Sequence, residues 1–248
     1  MLKVEQFGVM DNTSGDYIVT PLSFALAKGE IVAIIGESGA GKSLLAQALL
    51  GDAPTGFSIV GRAHQSGHGA VSQHTIALAA QSASVFDPLR TVFSHLKQRL
   101  YHRQPQQYLA SQDLARLQIN DSIGSLCCHQ LSGGMAKKAL LAQAAIQQTD
   151  FLIADEPCNG LDDNAATQMY DNLSYLAKQQ QQGILLISHN LRQVMHYADS
   201  IIVLKAGTMV EQTSPQAIKS NSCHPYTQAL WQALPENWSI TPPKQQVA

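Results

Sequence analysis

The chain has 248 residues, which is long enough for one domain with a sizeable core, or for a core that carries an inserted subdomain. Its net charge of −2, with 14% charged residues and no cluster of Lys and Arg, excludes the basic surface that nucleic-acid-binding proteins use. The four cysteines form no C-x-x-C pair, which favours free thiols in a reducing compartment, and the apolar runs are too short to span a bilayer.

The first forty residues are predicted to be β structure. Short apolar runs separated by turn residues indicate strands at residues 4–9, 17–20, 22–26 and 31–35. A glycine-rich loop follows the last of these strands, and residues 43–50 are predicted to form the helix that the loop opens. Segments rich in Gly, Pro, Ser and His come next, with a short strand at residues 57–60. A further strand is predicted at residues 75–80, and it ends at Gln81.

From about residue 87 to residue 148 the pattern becomes helical, because Val92, Leu96 and Leu100 recur with the period of an α-helix. Three later apolar runs have the length of strands, at residues 151–154, 184–187 and 201–204. Helical segments separate these runs. The alternation predicts a parallel sheet with helical crossovers, into which the helical block is inserted.

Residues 36–43 match the phosphate-binding pattern G-x-x-x-x-G-K-[ST] at every fixed position, between a predicted strand and a predicted helix. Glycines at positions 36, 39 and 41 let successive backbone N–H groups turn inward, and the helix N-terminus adds a partial positive charge. Lys42 is predicted to reach the β- and γ-phosphates of a nucleotide. Ser43 is predicted to place its hydroxyl on Mg²⁺.

The apolar run at residues 151–154 leads directly into two carboxylates, Asp155 and Glu156. In open α/β sheets the carboxyl ends of the strands are where ligands bind. Asp155 suits the Mg²⁺ shell, and Glu156, which points elsewhere, is predicted to polarise the attacking water as general base.

Gln81 and His189 each follow a predicted strand, and their position alone makes them candidates. The Gln81 amide can contact both Mg²⁺ and the attacking water, and His189 is the candidate contact to the γ-phosphate. Asp162 lies in a loop that continues from the strand of Glu156.

Ser132, Gly133 and Gly134 precede a long predicted helix, so their N–H groups form a second potential anion site. One chain needs only one phosphate-binding loop. Because a whole helical block separates the second potential site from the first, the two sites are not expected to contact the same nucleotide within one subunit. We therefore expect residues 132–134 to serve the nucleotide of a partner subunit.

Together these motifs resemble the nucleotide-binding subunit of an ABC transporter, in the order and approximate spacing of that family. The resemblance implies a single α/β domain over residues 1–248 with the ABC type of P-loop NTPase fold. Its parts are a mainly parallel sheet, an N-terminal antiparallel β subdomain, a helical subdomain inserted at about residues 82–149, and a C-terminal extension at residues 215–248. It also implies that the residues in contact with ATP are Gly36, Glu37, Ser38, Gly39, Ala40, Gly41, Lys42, Ser43, Leu44, Ser132, Gly133, Gly134 and Asp162.

The resemblance further implies a head-to-tail dimer with a second ATP-binding subunit. In that dimer two ATP molecules lie between the 36–43 loop of one chain and residues 131–135 of the other, the signature residues of the family. Closure and hydrolysis drive membrane permease subunits, whose coupling helix docks on residues 82–130. The chain is therefore expected on the cytoplasmic side of the membrane, held there by those subunits and linked through them to a solute-binding protein. No nucleic-acid partner is expected.

Met135 after the glycines and the tail segment 222–230 with Pro235 resemble the importers for oligopeptides, dipeptides and nickel. These systems pair two different ATPase chains, so we expect a heterodimer. The short tail favours the nickel or metallophore branch over peptides, and with Cys223 alone nearby no iron–sulfur cluster is expected. The aromatic that stacks on adenine in the family has no clear equivalent: Thr13 stands near its place, and Tyr17 and Phe7 are candidates.

Two other hypotheses for the function of the chain are open. A soluble ABC-type ATPase of DNA repair or translation generally has a coiled coil or two ATPase halves in one chain, and neither is present. A regulatory subunit that binds ATP without hydrolysis requires the loss of Glu156 or His189, and both are there.

Overall fold

The structure is a computed structural model that describes residues 1–51, 53–66, 69–71, 75–100 and 111–234. Pro235 of the tail segment, and the rest of the predicted extension beyond residue 234, lie outside the described residues. In the part of the chain that the structure describes, every helix is too short or too polar to cross a bilayer.

The described residues alternate between strands and helices along most of the chain. The strands are β1 (Leu2–Asp11), β2 (Tyr17–Leu26), β3 (Ile31–Gly36), β4 (Phe57–Gln65), β5 (Gly69–Ala70), β6 (Ile76–Ala79), β7 (Phe151–Asp155), β8 (Gly183–Ser188), β9 (Ser200–Lys205) and β10 (Thr208–Thr213). The α-helices are α1 (Lys42–Leu49), α2 (Val92–Leu100), α3 (Ser111–Arg116), α4 (Asp121–Gly124), α5 (Gly133–Ala145), α6 (Asp163–Lys178), α7 (Leu191–Tyr197), α8 (Pro215–Lys219) and α9 (Pro225–Gln232).

The larger sheet has six strands in the order β10-β9-β3-β8-β7-β6. The strands from β9 to β6 are parallel to their neighbours, and β10 is an antiparallel edge strand. Both faces of this sheet are covered, which explains why its strands are continuous apolar runs rather than alternating ones. The predicted parallel core with helical crossovers is confirmed.

The two faces of the parallel sheet bury two separate apolar clusters. On β3, for example, Ala33 belongs to one cluster and Ile34 to the other. Helices α5, α6 and α7 cover the first face, and α1 together with the antiparallel sheet covers the second. That antiparallel sheet has the order β2-β1-β4-β5, and it is the antiparallel β subdomain expected in the N-terminal part of the chain.

Two predicted boundaries are wrong. Residues 17–20 and 22–26 form one strand, β2, although Pro21 lies inside it; β2 is an edge strand, where a missing N–H is tolerated. The strand predicted at residues 57–60 continues to Gln65 as β4, past Gly61 with a φ of 74°. A side chain at position 61 would meet the backbone oxygen of Gln6 at 1.9 Å, so glycine here marks a close strand approach rather than a strand end.

Candidate active site

Four neighbouring parallel strands deliver the candidate residues to one edge of the large sheet. The glycine-rich loop follows β3, and His189 follows β8, the strand beside it. Asp155 and Glu156 stand at the end of β7, and Gln81 follows β6. Because the strands run in the same direction, their carboxyl ends lie together, which is where open α/β sheets bind ligands.

The loop after β3 adopts backbone conformations that only glycine takes readily. Gly39 and Gly41 have φ angles of 83° and 82°. A Cβ atom on Gly41 would lie 2.6 Å from Cγ2 of Val19, and one on Gly36 would lie 2.5 Å from the backbone oxygen of Leu204. Gly41 is also the N-cap of α1, and no side chain caps that helix. The first N–H groups of α1 therefore remain available to an anion.

Lys42 folds back over this loop and is only 7% exposed. Its Nζ donates to the backbone oxygens of Gly36 at 2.8 Å and of Glu37 at 2.9 Å. Both acceptors are neutral, so the positive charge of Lys42 is not cancelled and remains available to a phosphate group.

A contact from the far end of the chain reaches the same loop. The hydroxyl of Tyr226, at the start of α9, donates to Oε1 of Glu37 at 3.0 Å. The Tyr226 ring lies beneath the ammonium of Lys205, which is 4.6 Å from the ring centroid. This links the tail segment 222–230 to the glycine-rich loop.

The side chains of Ser43, in α1, and Asp155, at the end of β7, are in direct contact. The Ser43 hydroxyl donates to Oδ1 of Asp155 at 3.1 Å, and Asp155 is 7% exposed. Burial raises the pKa of Asp155; the Ser43 hydrogen bond lowers it, and the charge of Glu156 raises it further. A buried carboxylate beside a hydroxyl gives two hard oxygen ligands at one point.

Glu156 follows β7 in a left-handed conformation with a φ of 48°. Its backbone N–H donates to the oxygen of Ile187 at 2.9 Å, and its Oε2 lies 2.7 Å from Nδ1 of His189. The carboxylate accepts from Nδ1–H, so Nε2 of His189 is left for a ligand. The Glu156 side chain is 10% exposed and that of His189 is 60% exposed, which places the pair at the rim of a cavity.

That cavity has a volume of about 500 Å³, within the range of small-molecule sites. It is lined by Ser38, Gly39, Gly41, Lys42, Ser43, Leu44, Gln81, Glu156, Asn159 and His189. Of the other candidates, Gly36, Glu37, Ala40 and Asp155 belong to the segments that form it, without lining it.

Ser132, Gly133, Gly134 and Asp162 do not line this cavity. Ser132 is the N-cap of α5 and accepts from the N–H of Met135 at 3.3 Å, and Asp162 is the N-cap of α6, accepting from Ala165 at 2.8 Å. Ser132 and Gly133 are exposed. The structure therefore keeps the signature residues apart from the chain's own glycine-rich loop.

The structure also changes the list of aromatic candidates. Phe7 is 3% exposed and part of the core beneath the antiparallel sheet, so it cannot stack on a bound base. Tyr17 is 47% exposed and precedes Ile18 and Val19, the residues of β2 that lie against Gly41. Tyr17 remains a candidate.

Two residues beside the cavity were not predicted as site residues. Asn159 lines it from the turn after Glu156, where its N–H donates to the oxygen of Glu156 at 3.2 Å. Lys137 donates from Nζ to the backbone oxygens of Gln81 at 2.7 Å and of Glu156 at 2.8 Å. The sequence carried no signal for Lys137, because Lys138 stands beside it and its partners are backbone oxygens.

Comparison with known proteins decides the family. The family profile described as "ABC transporter" matches residues 19–159. The chain belongs to the ABC transporter family. The ABC transporter ATPase predicted from the motifs is confirmed, and the chain is an ATP-binding and ATP-hydrolysing member of that family.

The relatives are ATP-binding proteins of transport systems. The dipeptide transport ATP-binding protein DppD of Escherichia coli is 30% identical over 257 residues, which cover 95% of this chain and 79% of that protein. The nickel import system ATP-binding protein NikD of Staphylococcus aureus is 31% identical over 233 residues, covering 88% and 90%. The oligopeptide transport ATP-binding protein OppD of Lactococcus lactis is 29% identical over 264 residues, covering 97% and 78%.

Solved structures agree on the ABC ATPase fold. An ATP-binding subunit of an ABC transporter superposes with a TM-score of 0.77 at 23% identity, covering 93% of this chain and 98% of that one. A dimeric bacterial ABC transporter cassette gives 0.74 at 18% identity, covering 87% and 99%. The predicted fold class is confirmed.

Proposed function

We propose that this chain is the ATP-hydrolysing subunit of an ABC importer and that its own cavity holds the phosphates of Mg²⁺-bound ATP. The observation that carries the proposal is the convergence of Lys42, Ser43, Glu156 and His189 on one cavity. They come from three separate parts of the chain, since Lys42 and Ser43 are neighbours, and each supplies a different requirement of phosphoryl transfer.

Phosphate binding falls to residues 36–44, that is to Gly36, Glu37, Ser38, Gly39, Ala40, Gly41, Lys42, Ser43 and Leu44. The backbone N–H groups of this loop and of the uncapped start of α1 surround the anion. Lys42, now held by two backbone oxygens, reaches the β- and γ-phosphates once they arrive.

The residues around Ser43 fit a bound Mg²⁺. Ser43 and Asp155 already share a hydrogen bond, and Gln81 lines the same cavity with an amide oxygen to offer. A cation also suits the buried Asp155, whose raised pKa reflects a negative charge that burial disfavours. When bound, Mg²⁺ supplies neutralisation of the charge on the phosphate oxygens.

Glu156 acts as the general base. It accepts a proton from the water that attacks the γ-phosphorus, and the bond to the β-phosphate oxygen breaks. His189 orients the Glu156 carboxylate through Nδ1 and offers Nε2 to the γ-phosphate. Gln81, which lines the same cavity, positions the water.

The second nucleotide contact comes from a second ATP-binding subunit arranged head to tail, and the pair is a heterodimer. Ser132, Gly133 and Gly134 do not line this chain's own cavity, and the first two are exposed at the start of α5, which supports their use on the partner's ATP. Asp162 belongs to the same surface, because a Cβ on Gly134 would lie 3.6 Å from the neighbouring Leu161.

Membrane permease subunits are the other partners. Val85 and Leu89 follow Gln81 and are 56% and 77% exposed, so they offer apolar surface to a partner. We place the coupling helix of the permeases on this part of the inserted helical subdomain, residues 82–149. The chain then works at the cytoplasmic side of the membrane and reaches a solute-binding protein only through the permeases.

Our favoured hypothesis is that the transported solute is nickel or a metal chelate. NikD is 31% identical to this chain, against 30% for DppD and 29% for OppD. Peptides are the second candidate, since the identities are nearly equal. The test is to measure the uptake of labelled nickel and of a labelled dipeptide by cells that lack this chain. Only the uptake of the transported solute should fall.

The proposed role of Glu156 is tested by Glu156→Gln in the assembled transporter. We expect ATP binding to persist and kcat to fall by at least about 100-fold, the usual contribution of a general base. Glu5→Gln is the matched control, because Glu5 is paired with Arg62 on the antiparallel sheet and should leave turnover unchanged. Turnover of Glu156→Gln within twofold of the unmodified protein would contradict the proposal.

A further inference from the structure

Lys137 lies one turn into α5, shortly after the signature residues, and is half-buried. Its Nζ donates to two backbone oxygens that belong to different strand ends, Gln81 after β6 and Glu156 after β7. We propose that Lys137 is a positioning residue that fixes the backbones of Gln81 and Glu156 to α5, and so links the signature residues to the chain's own hydrolytic residues.

The chemistry of the site explains why a lysine stands there. An ammonium group has three donors on one atom, so it can hold two carbonyl oxygens that converge from separate segments. Burial lowers the pKa of Lys137, and the nearby Cys158, Asp155 and Glu156 oppose that effect. The lysine thus places a cation behind the carboxylates without entering the cavity.

Glu156 depends on such support because its backbone conformation is strained. A non-glycine residue with a φ of 48° is strained and persists only where its surroundings hold it in that conformation. Its N–H donates to Ile187 of β8, and its carbonyl oxygen accepts from Lys137 at 2.8 Å and from the N–H of Asn159 at 3.2 Å. With both sides of the residue fixed, the side chain is directed towards His189.

The same nitrogen also holds Gln81, so the two segments cannot move independently of α5. The N-terminus of α5 carries residues 132–134, which the proposed function assigns to the partner's nucleotide. A displacement of that end, when the partner's ATP binds or leaves, is transmitted through Lys137 to the Gln81 and Glu156 backbones. This inference rests on the proposed roles of Gln81 and Glu156.

The test compares Lys137→Met, Lys137→Arg and Lys138→Met in the assembled transporter. Lys138 is the matched control, since it is the next residue on α5 and its Nζ bonds the Gln118 side chain instead. We expect Lys137→Met to lower kcat by roughly tenfold, equivalent to about 1.4 kcal/mol, with KM for ATP within twofold. Arginine keeps charge and donors and should restore kcat to within about threefold, and Lys138→Met should match the unmodified protein.

Hydrogen exchange supplies the second readout. In Lys137→Met, the backbone amides around Gln81 and Glu156 should exchange faster, whereas those of the glycine-rich loop should not change. If Lys137→Met does not fold, Lys137→Gln replaces it, because a shorter neutral side chain also loses the bridge, and the same fall in kcat is expected.

The inference is overturned if kcat is unchanged in Lys137→Met. It is also overturned if kcat falls while KM for ATP rises by a similar factor and Lys137→Arg does not restore kcat. Glu156→Gln in the same assay separates the two proposals. If Glu156→Gln abolishes turnover and Lys137→Met does not reduce it, the positioning role is wrong. If Glu156→Gln keeps its turnover, the proposed function itself is wrong.

Discussion

Replacing Gly41 with alanine should destabilise the nucleotide-free protein much more than the same change at Gly39. Both residues have φ angles near 82°, where alanine costs roughly 1–2 kcal/mol, partly offset by about 0.4–1 kcal/mol from the stiffer unfolded chain. At Gly41 the new Cβ also lies 2.6 Å from Cγ2 of Val19, whereas at Gly39 it meets nothing within 4 Å. Overpacking of that kind costs typically about 1–3 kcal/mol.

The free energy of unfolding should therefore fall by roughly 3 kcal/mol for Gly41→Ala and by roughly 1 kcal/mol for Gly39→Ala. Urea denaturation without nucleotide measures both. Val19→Ala removes the atom that clashes, so in a double-mutant cycle with Gly41→Ala the coupling should be about 2 kcal/mol in favour of the double variant. Equal losses for the two glycines, or no coupling with Val19, would refute the reasoning.

Three further predictions concern the nucleotide site and its surroundings. Asp155→Asn should raise the melting temperature of the nucleotide-free protein at pH 7 while abolishing ATP hydrolysis. Burial raises the folded pKa of Asp155, so the stability of the native protein falls as the pH rises through that pKa. The gain in melting temperature should therefore vanish below the ordinary pKa of 3.8, and a gain that persists there would contradict the prediction. Ser132→Ala should cost about 1 kcal/mol by loss of the α5 N-cap, measured by urea denaturation, and should reduce dimer ATPase activity without weakening ATP binding by the isolated chain. Tyr226→Phe should weaken ATP binding roughly 2–5-fold in a fluorescent-nucleotide titration, because the Glu37 contact is lost, whereas Tyr197→Phe should not.

The fold was predictable where a physical signal is local. The runs at residues 31–35, 151–154, 184–187 and 201–204 are continuous apolar segments of strand length because the sheet is covered on both faces. The continuity of β2 through Pro21 was not predictable, because a proline is tolerated there only through the edge position of the strand. That position is set by the tertiary structure.

The same distinction applies to the candidate site. Lys42, Ser43 and Glu156 could be identified because each stands in a motif whose spacing carries the chemistry, and the structure brings them to one cavity. Lys137 could not, since its partners are the backbone oxygens of residues 56 and 19 positions away, and any side chain at those positions offers the same oxygen. Contacts of that kind leave no residue type to recognise.

The order in which the chain is synthesised determines when this site can exist. Within the described residues, β3 pairs with β8 and β9, which begin at residues 183 and 200, so the strand leaves the ribosome long before its neighbours. The contact between Glu37 and Tyr226 spans 189 positions, which corresponds to roughly 10–40 s of synthesis at the usual rate. His189, which lines the cavity, follows β8, so the complete cavity forms only after β8 has been made, and until then β3 has neither of its partner strands.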